Sequence, residues 1–188
     1  LNESRPVKRT LATASEKVGA CAEIYRLERH VRGDALRQVI LTDFIRYEPA
    51  VGMDSAIDSL GAWPVFCELV HTAELSDRPH LALLTGRIAV IHRSLEPVIA
   101  QYMPEARFRD VAFSGDFVEV GGKLNELTTT FTVLLQTGTI RALVGTRALL
   151  GEGWDCPAVN SLILATAIGA FVMTNQMRGR AIRVDAAN

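Results

Sequence analysis

The sequence predicts an α/β fold in which a mainly parallel sheet lies between two layers of helices. Short apolar runs of strand character, such as residues 36–41, 81–84 and 140–146, alternate with segments of helical period. These runs are apolar on both faces, as is typical of parallel strands that helices cover on both sides. With 188 residues, 48% of them hydrophobic, the chain is long enough to bury one sizeable core.

Composition excludes several classes of protein. A formal net charge of −1 excludes a highly basic nucleic-acid binder, although a local basic patch can still contact phosphates. Three widely spaced cysteines without a C-x-x-C pair argue against a disulfide framework or a zinc site and favour a reducing cytoplasm. The apolar run 162–173 is too short to span a bilayer, and the polar N-terminus is no secretory signal. We therefore expect a cytoplasmic protein without a metal site or a membrane partner.

The first half of the chain predicts helices around one strand. Residues 10–31 have helical period and end before Gly33, and the strand 36–41 follows. A short helix is expected over 55–60, and Pro64 suits the first turn of the next helix.

The middle of the chain predicts a strand over 81–84, with 87–92 as either its partner strand or the start of a helix. Ser94 is expected to cap a helix that runs to about Met103. Residues 107–120 predict a hairpin around Ser114 and Gly115.

The last third predicts a helix over 124–135 that Gly138 closes, followed by two buried strands, 140–146 and 159–166. A final helix is expected from about Phe171.

Three polar pairs lie at the carboxyl ends of predicted strands. They are Thr42-Asp43, Thr85-Gly86 and Thr146-Arg147. Because ligands of parallel α/β sheets gather at the carboxyl ends of the strands, these pairs are candidate binding residues.

The predicted final helix carries a cationic cluster. Gln176, Gly179, Arg180 and Arg183 share one helical face, since positions three and four apart are neighbours. Guanidinium groups match phosphate geometry and suit the charge that develops in phosphoryl transfer. The simpler alternative is a solvated basic helix end that complements the helix dipole.

Two segments resemble motifs of superfamily 2 helicases. "QMRGRAIR" (176–183) matches the pattern Q-x-x-G-R-x-x-R of motif VI at every fixed position. "VGTRALLGEGWDCPAVNSLILA" (144–165) is similar to motif V, and its "LLGEGWDCP" part is similar to DNA repair and restriction motors. It departs from the DEAD-box form, in which the threonine stands one residue closer to the Gly-x-Asp. "VILTDFIR" (39–46) and "LALLTG" (81–86) resemble motif IV and the second strand of the same domain.

The resemblance implies a C-terminal RecA-like domain, related to P-loop NTPases, over residues 36–188, truncated just after motif VI. Residues 1–35 would be a helix that leads in from a first motor domain. The chain has no P-loop and begins without methionine, which favours a piece of a longer protein. That first domain would be the partner that holds most of the ATP and Mg²⁺.

The resemblance also assigns roles to residues. Arg180, Arg183 and Gln176 would be catalytic, with the two arginines as arginine fingers, while Gly153, Asp155 and Gly179 would contact ATP. Thr42, Asp43, Thr85, Gly86, Thr146 and Arg147 would contact nucleic acid, with DNA expected and RNA as the alternative.

The resulting hypothesis is the motor half of an ATP-dependent DNA helicase or translocase, which is inactive alone. A second hypothesis is a RecA-like module that binds nucleic acid or protein without catalysis. A third, a nucleotide-binding domain of another α/β family, is disfavoured because no glycine-rich loop joins a strand to a helix.

Overall fold

The computed structural model describes residues 5–45, 61–151 and 153–165, and within these ranges seven strands form one sheet. The helices are α1 (Arg5–Arg32), α2 (Ala62–Thr72), α3 (Glu96–Tyr102), α4 (Leu124–Thr137) and α5 (Arg147–Leu150). The strands are β1 (Gln38–Thr42), β2 (Leu81–Leu84), β3 (Ala89–His92), β4 (Arg107–Val111), β5 (Ser114–Gly121), β6 (Ala142–Thr146) and β7 (Ser161–Ala165).

The sheet has a parallel half and an antiparallel half, in the order β4-β5-β3-β2-β6-β1-β7. Strands β2, β6, β1 and β7 run parallel to one another, whereas β3, β5 and β4 continue the sheet beyond β2 in antiparallel pairs. The predicted parallel sheet is thus confirmed for one half only. Only residues 85–88 separate β2 from β3, and such a short link cannot hold the crossover that parallel strands need.

Helices cover both faces of the sheet, as predicted, because successive strand residues point to opposite sides. Ile40 packs in a cluster with α1 and α2, and its neighbours Val39 and Leu41 pack in a second cluster with α3 and α4. The buried face of α1 presents Val18, Cys21, Ala22 and Tyr25 to the first cluster. The described part of the protein is therefore a three-layer α/β structure.

Several local predictions are confirmed. Helix α1 ends immediately before Gly33, α4 ends immediately before Gly138, and Pro64 lies in the first turn of α2. Residues 89–92 form the partner strand of β2, which resolves the alternative left open by the sequence. The hairpin of β4 and β5 also forms, although its turn is at Ala112 and Phe113 rather than at Ser114 and Gly115.

The predicted helix cap at Ser94 is wrong. Ser94 lies within a 3-10 turn, Arg93–Leu95, and its backbone nitrogen donates to Nδ1 of His92 at 3.2 Å. Helix α3 begins at Glu96 with Pro97 in its first turn, where the lack of an N–H carries no cost. The predicted helices over 55–60 and from Phe171 lie outside the described residues. Among the helices that are described, none combines the length and the apolar composition needed to cross a bilayer.

Candidate nucleic-acid interface

The carboxyl ends of β2, β6 and β1 lie side by side along one edge of the sheet. Thr42, at the end of β1, is the register partner of Thr146 at the end of β6. Leu84, at the end of β2, is the register partner of Gly145. The three polar pairs at the ends of these strands therefore share this edge, which we call the carboxyl edge.

An ion pair connects two of these strand ends. The guanidinium NH1 of Arg147 lies 3.3 Å from Oδ1 of Asp43, and the two side chains are 32% and 20% exposed. Each residue follows directly after its strand, so the parallel alignment of β6 and β1 places the charges together. Both charged groups remain accessible enough to exchange this contact for one with a ligand.

The threonines of the carboxyl edge are buried. Oγ1 of Thr42 donates to the backbone oxygen of Phe44 at 2.8 Å. Oγ1 of Thr85 donates to the oxygen of Ile88 at 3.1 Å and accepts from the nitrogen of Ile88 at 3.0 Å, which shapes the turn between β2 and β3. Thr146 is 5% exposed and directly precedes α5. The hydroxyls of Thr42 and Thr85 hold the edge together, and of the residues predicted here Asp43, Gly86 and Arg147 are the ones that are not buried.

The turn between β2 and β3 adds a second accessible cation. Gly86 and Arg87 are both exposed, and a Cβ built on Gly86 meets no heavy atom within 4 Å. Because Thr85 holds both ends of the turn through hydrogen bonds, Gly86 and Arg87 project from a defined backbone.

The segment predicted to contact ATP forms an exposed loop after α5. Gly153 and Asp155 are both exposed, so a nucleotide can reach the carboxylate of Asp155 and its hydrogen-bonding oxygens. Gly153 has φ +80°, and a Cβ built on it meets nothing within 4 Å. The glycine is therefore required here by its backbone conformation and not by crowding.

A tryptophan holds this loop against helix α4. Nε1 of Trp154 donates to Oγ1 of Thr132 at 2.8 Å, and the indole packs against the second core cluster. These contacts give Trp154 a packing role in the structure. Its partner on α4 was not predicted, because no local pattern in the sequence relates the two positions.

Gly145 is a structural residue that sequence reasoning did not single out. A Cβ at this position would lie 2.5 Å from Cδ1 of Leu150 and 2.8 Å from the backbone oxygen of Leu84. Strand β6 can therefore pack this closely against β2 and α5 only with glycine at position 145. In the sequence, this glycine lies within an apolar strand, one residue before the strand's polar end. That position could have indicated close packing of the backbone.

The opposite edge of the sheet carries an ion network that was also not predicted. Asp77 accepts from Nε of Arg29 at 2.9 Å, and Asp34 lies 3.2 Å from NH2 of Arg29 and 2.9 Å from NH2 of Arg141. These residues precede β1, β2 and β6 or end α1, so the network joins four segments at the amino ends of the strands. Its role is structural, because the charges compensate one another.

The predicted catalytic residues Gln176, Arg180 and Arg183, and the predicted ATP contact Gly179, lie outside the described residues. Within the described ranges, no group of three or more His, Cys, Asp or Glu side chains is arranged to hold a metal ion. The other two predicted ATP contacts, Gly153 and Asp155, lie on the exposed loop after α5.

Comparisons with protein-family models, with curated proteins and with solved structures find no match for this chain.

Proposed function

We propose that this chain is the C-terminal RecA-like motor half of an ATP-dependent nucleic-acid translocase or helicase. The single observation that carries the proposal is the carboxyl edge, where three adjacent parallel strands end in polar residues and Arg147 pairs with Asp43 at 3.3 Å. In open α/β sheets this edge is where ligands bind. DNA is the expected nucleic acid, and RNA offers the same phosphate chemistry.

Phosphate recognition would use the two cations of this edge. Arg147 can exchange Asp43 for a phosphate, because an ion pair with both side chains partly exposed is worth at most about 1 kcal/mol. Arg87 projects from the neighbouring turn and provides a second guanidinium. Contacts of this kind position a nucleic-acid backbone without reading its sequence.

The loop from Gly153 to Asp155 would meet the nucleotide. Asp155 is exposed and has acceptors for a ribose hydroxyl, while Trp154 keeps the loop on α4 through its 2.8 Å hydrogen bond to Thr132. ATP would supply the energy of hydrolysis. The motif VI resemblance assigns Arg180 and Arg183 to the developing phosphate charge, and a first motor domain would bring most of the other ATP contacts.

ATP hydrolysis tests this division of labour. We expect no hydrolysis by the 188-residue chain alone. In the longer protein that carries the first motor domain, Arg183→Ala should lower hydrolysis by roughly 10³- to 10⁵-fold while ATP binding is kept. Arg178→Ala is the matched control, since it removes the same charge from a position that does not share the predicted helical face.

Two results would overturn the proposal. One is robust ATP hydrolysis by the isolated chain. The other is an Arg183→Ala variant that loses ATP binding as fully as it loses hydrolysis. In that case Arg183 would bind ATP in its ground state and would not act specifically on the transition state of phosphoryl transfer.

A further inference from the structure

Helix α1 carries an apolar row on a face that the core does not use. Ile24, Leu27 and Val31 are 40%, 63% and 79% exposed. Cys21 and Tyr25, on another face of the same helix, are buried in the first core cluster. Single exposed apolar residues are common on protein surfaces, but a continuous row of large ones is typical of an interaction site. We call Ile24, Leu27 and Val31 the outer stripe.

The spacing of the outer stripe is that of a seam between two helices. Its members follow one another at intervals of three and four residues inside α1, and the exposed Ala20 continues the row one turn earlier. This is the a and d pattern of a heptad, in which the side chains of one helix pack between those of a facing helix. The occupant that suits the stripe is therefore another helix with the same spacing.

The charges beside the outer stripe distinguish two ways of placing a second copy of α1 on it. In this heptad Glu23 and His30 are g positions and Glu28 is an e position. In a parallel pair, each g residue faces the e residue five positions further along the other helix, so Glu23 would oppose the partner's Glu28. In an antiparallel pair, g residues face g residues, and Glu23 would lie beside the partner's His30, which can donate to a carboxylate.

The antiparallel arrangement also brings suitable apolar residues together. Ile24 would face the partner's Leu27, and Val31 would face the partner's Ala20, so that a layers meet d layers. Because a twofold axis repeats every contact, the stripes of both copies leave water together. Glu23 is available for this contact, since its ion pair with Arg26 at 3.2 Å is exposed and contributes little to stability.

We propose that the chain forms a twofold-symmetric dimer in which the outer stripes of two α1 helices pack antiparallel. This inference goes beyond the proposed function and does not depend on it, because no residue of the stripe belongs to the carboxyl edge or to the loop after α5. The contact is isologous, so it closes at two copies and does not lead to a filament.

Analytical ultracentrifugation of the 188-residue chain over a range of concentrations tests the proposal. We expect the mass to rise with concentration from 20.5 kDa to twice that value. Leu27→Gln should weaken dimerisation by about tenfold or more, because each dimer would bury a polar amide at both places where leucine packs. Thermal unfolding checks that the fold is intact, which is expected because position 27 is largely exposed.

Leu124→Gln is the matched control. Leu124 is 43% exposed and begins α4, which packs on the opposite face of the sheet from α1. The substitution removes the same apolar side chain from a helix outside the proposed contact, so the dissociation constant of the dimer should be unchanged.

Exchange of charges tests the antiparallel orientation. Glu23→Lys should weaken the dimer by about 2- to 10-fold, because it places an ammonium group beside the partner's His30. His30→Glu should also weaken it, since the new carboxylate would face the partner's Glu23. The double variant Glu23→Lys/His30→Glu pairs opposite charges again and should restore the wild-type dissociation constant.

The other outcomes contradict the proposal. A chain that remains monomeric at every concentration, or equal weakening by Leu27→Gln and Leu124→Gln, shows that the outer stripe does not bind a second copy. Tighter association of Glu23→Lys overturns the antiparallel orientation, because lysine would then face the partner's Glu28 in a parallel pair. A monomeric chain whose Leu27→Gln variant docks a first motor domain more weakly assigns the stripe to that domain. Each of these results leaves the proposed function standing, since ATP hydrolysis tests it separately.

Discussion

The guanidinium of Arg147 lies 3.3 Å from the carboxylate of Asp43 and thereby joins the residues that follow the neighbouring strands β6 and β1. The ion pair thus connects two of the polar pairs that the sequence places at strand ends. Because Asp43 neutralises Arg147, it would compete with a nucleic-acid phosphate for the same guanidinium, and this competition can be measured in binding.

Asp43→Asn should therefore tighten binding of a single-stranded oligonucleotide. The substitution removes the anion that competes with phosphate for Arg147, and a pair of this exposure is worth at most about 1 kcal/mol, or roughly a fivefold change in affinity. Stability should change by less than about 1 kcal/mol for the same reason. Anisotropy titration and urea unfolding measure the two effects, and an unchanged or lower affinity would contradict the role given to Arg147.

The hydrogen bond between Trp154 and Thr132 should stabilise the exposed loop that carries Asp155. Thr132→Val keeps the shape of the side chain but leaves Nε1 of Trp154 without its acceptor, at a cost of about 1 to 3 kcal/mol. Urea unfolding measures the cost, and hydrogen exchange should show faster exchange in the loop. Thr129→Val on the exposed side of α4 is the control. If the two variants lower the free energy of unfolding equally, the hydrogen bond from Trp154 does not stabilise the protein.

Gly145→Ala should destabilise the protein. The added Cβ would lie 2.8 Å from the backbone oxygen of Leu84, which cannot move without disturbing strand β2. Overpacking of this kind typically costs about 1 to 3 kcal/mol, visible as a lower midpoint in urea. Gly86→Ala is the matched control, because a Cβ there meets no heavy atom within 4 Å. Similar midpoints for the two variants would mean that β6 is not packed as tightly as described.

The three cysteine thiols should be unreactive in the folded protein. Burial raises the pKa of Cys21 to about 11 and that of Cys67 to about 12, and it also raises the pKa of Cys156. The reactive thiolate is therefore scarce near neutral pH. A disulfide reagent such as DTNB should label all three cysteines in urea and none within minutes in buffer. Rapid labelling of Cys21 or Cys67 in the native chain would show that the layer of helices α1 and α2 opens readily.

The same pKa values predict the sign of a pH effect. Because folding raises the pKa of Cys21 from 9.0 to about 11, the unfolded state loses its proton first as the pH rises. The contribution to the free energy of unfolding is therefore complete below pH 9 and is lost between pH 9 and about 11. Cys21→Ala should show a shallower decline over this window than the wild type, and identical slopes would contradict the burial of the thiol.

Local features of the fold could be predicted from the sequence where the chain itself imposes them. The strand β2 depends on a run of four apolar residues, and the end of α4 depends on the glycine that follows it. Both signals are local in the sequence, and both predictions are confirmed. The antiparallel half of the sheet was underestimated, because strand direction depends on the length of the link after Leu84 and on which strand pairs with β3. Ser94 was misassigned because Pro97 favours the first turn of a helix, and the helix cap therefore falls one residue further along, at Leu95.

The candidate site was predictable in position but not in detail. Parallel strands bring Thr42, Thr85 and Thr146 to one edge, which follows from the fold class alone. That their hydroxyls are buried, and that Asp43 pairs with Arg147, depends on register between distant strands.

The most direct test of the carboxyl edge as a nucleic-acid interface is the salt dependence of oligonucleotide binding by the wild type, by Arg147→Ala and by Arg26→Ala. Arg26 lies on α1 with its side chain 60% exposed, so it loses the same charge at a distance from the carboxyl edge. We predict that Arg147→Ala weakens binding and lowers the slope of log K against log salt by about 1, and that Arg26→Ala changes neither. Equal effects of the two variants, or an unchanged slope in Arg147→Ala, would contradict the account.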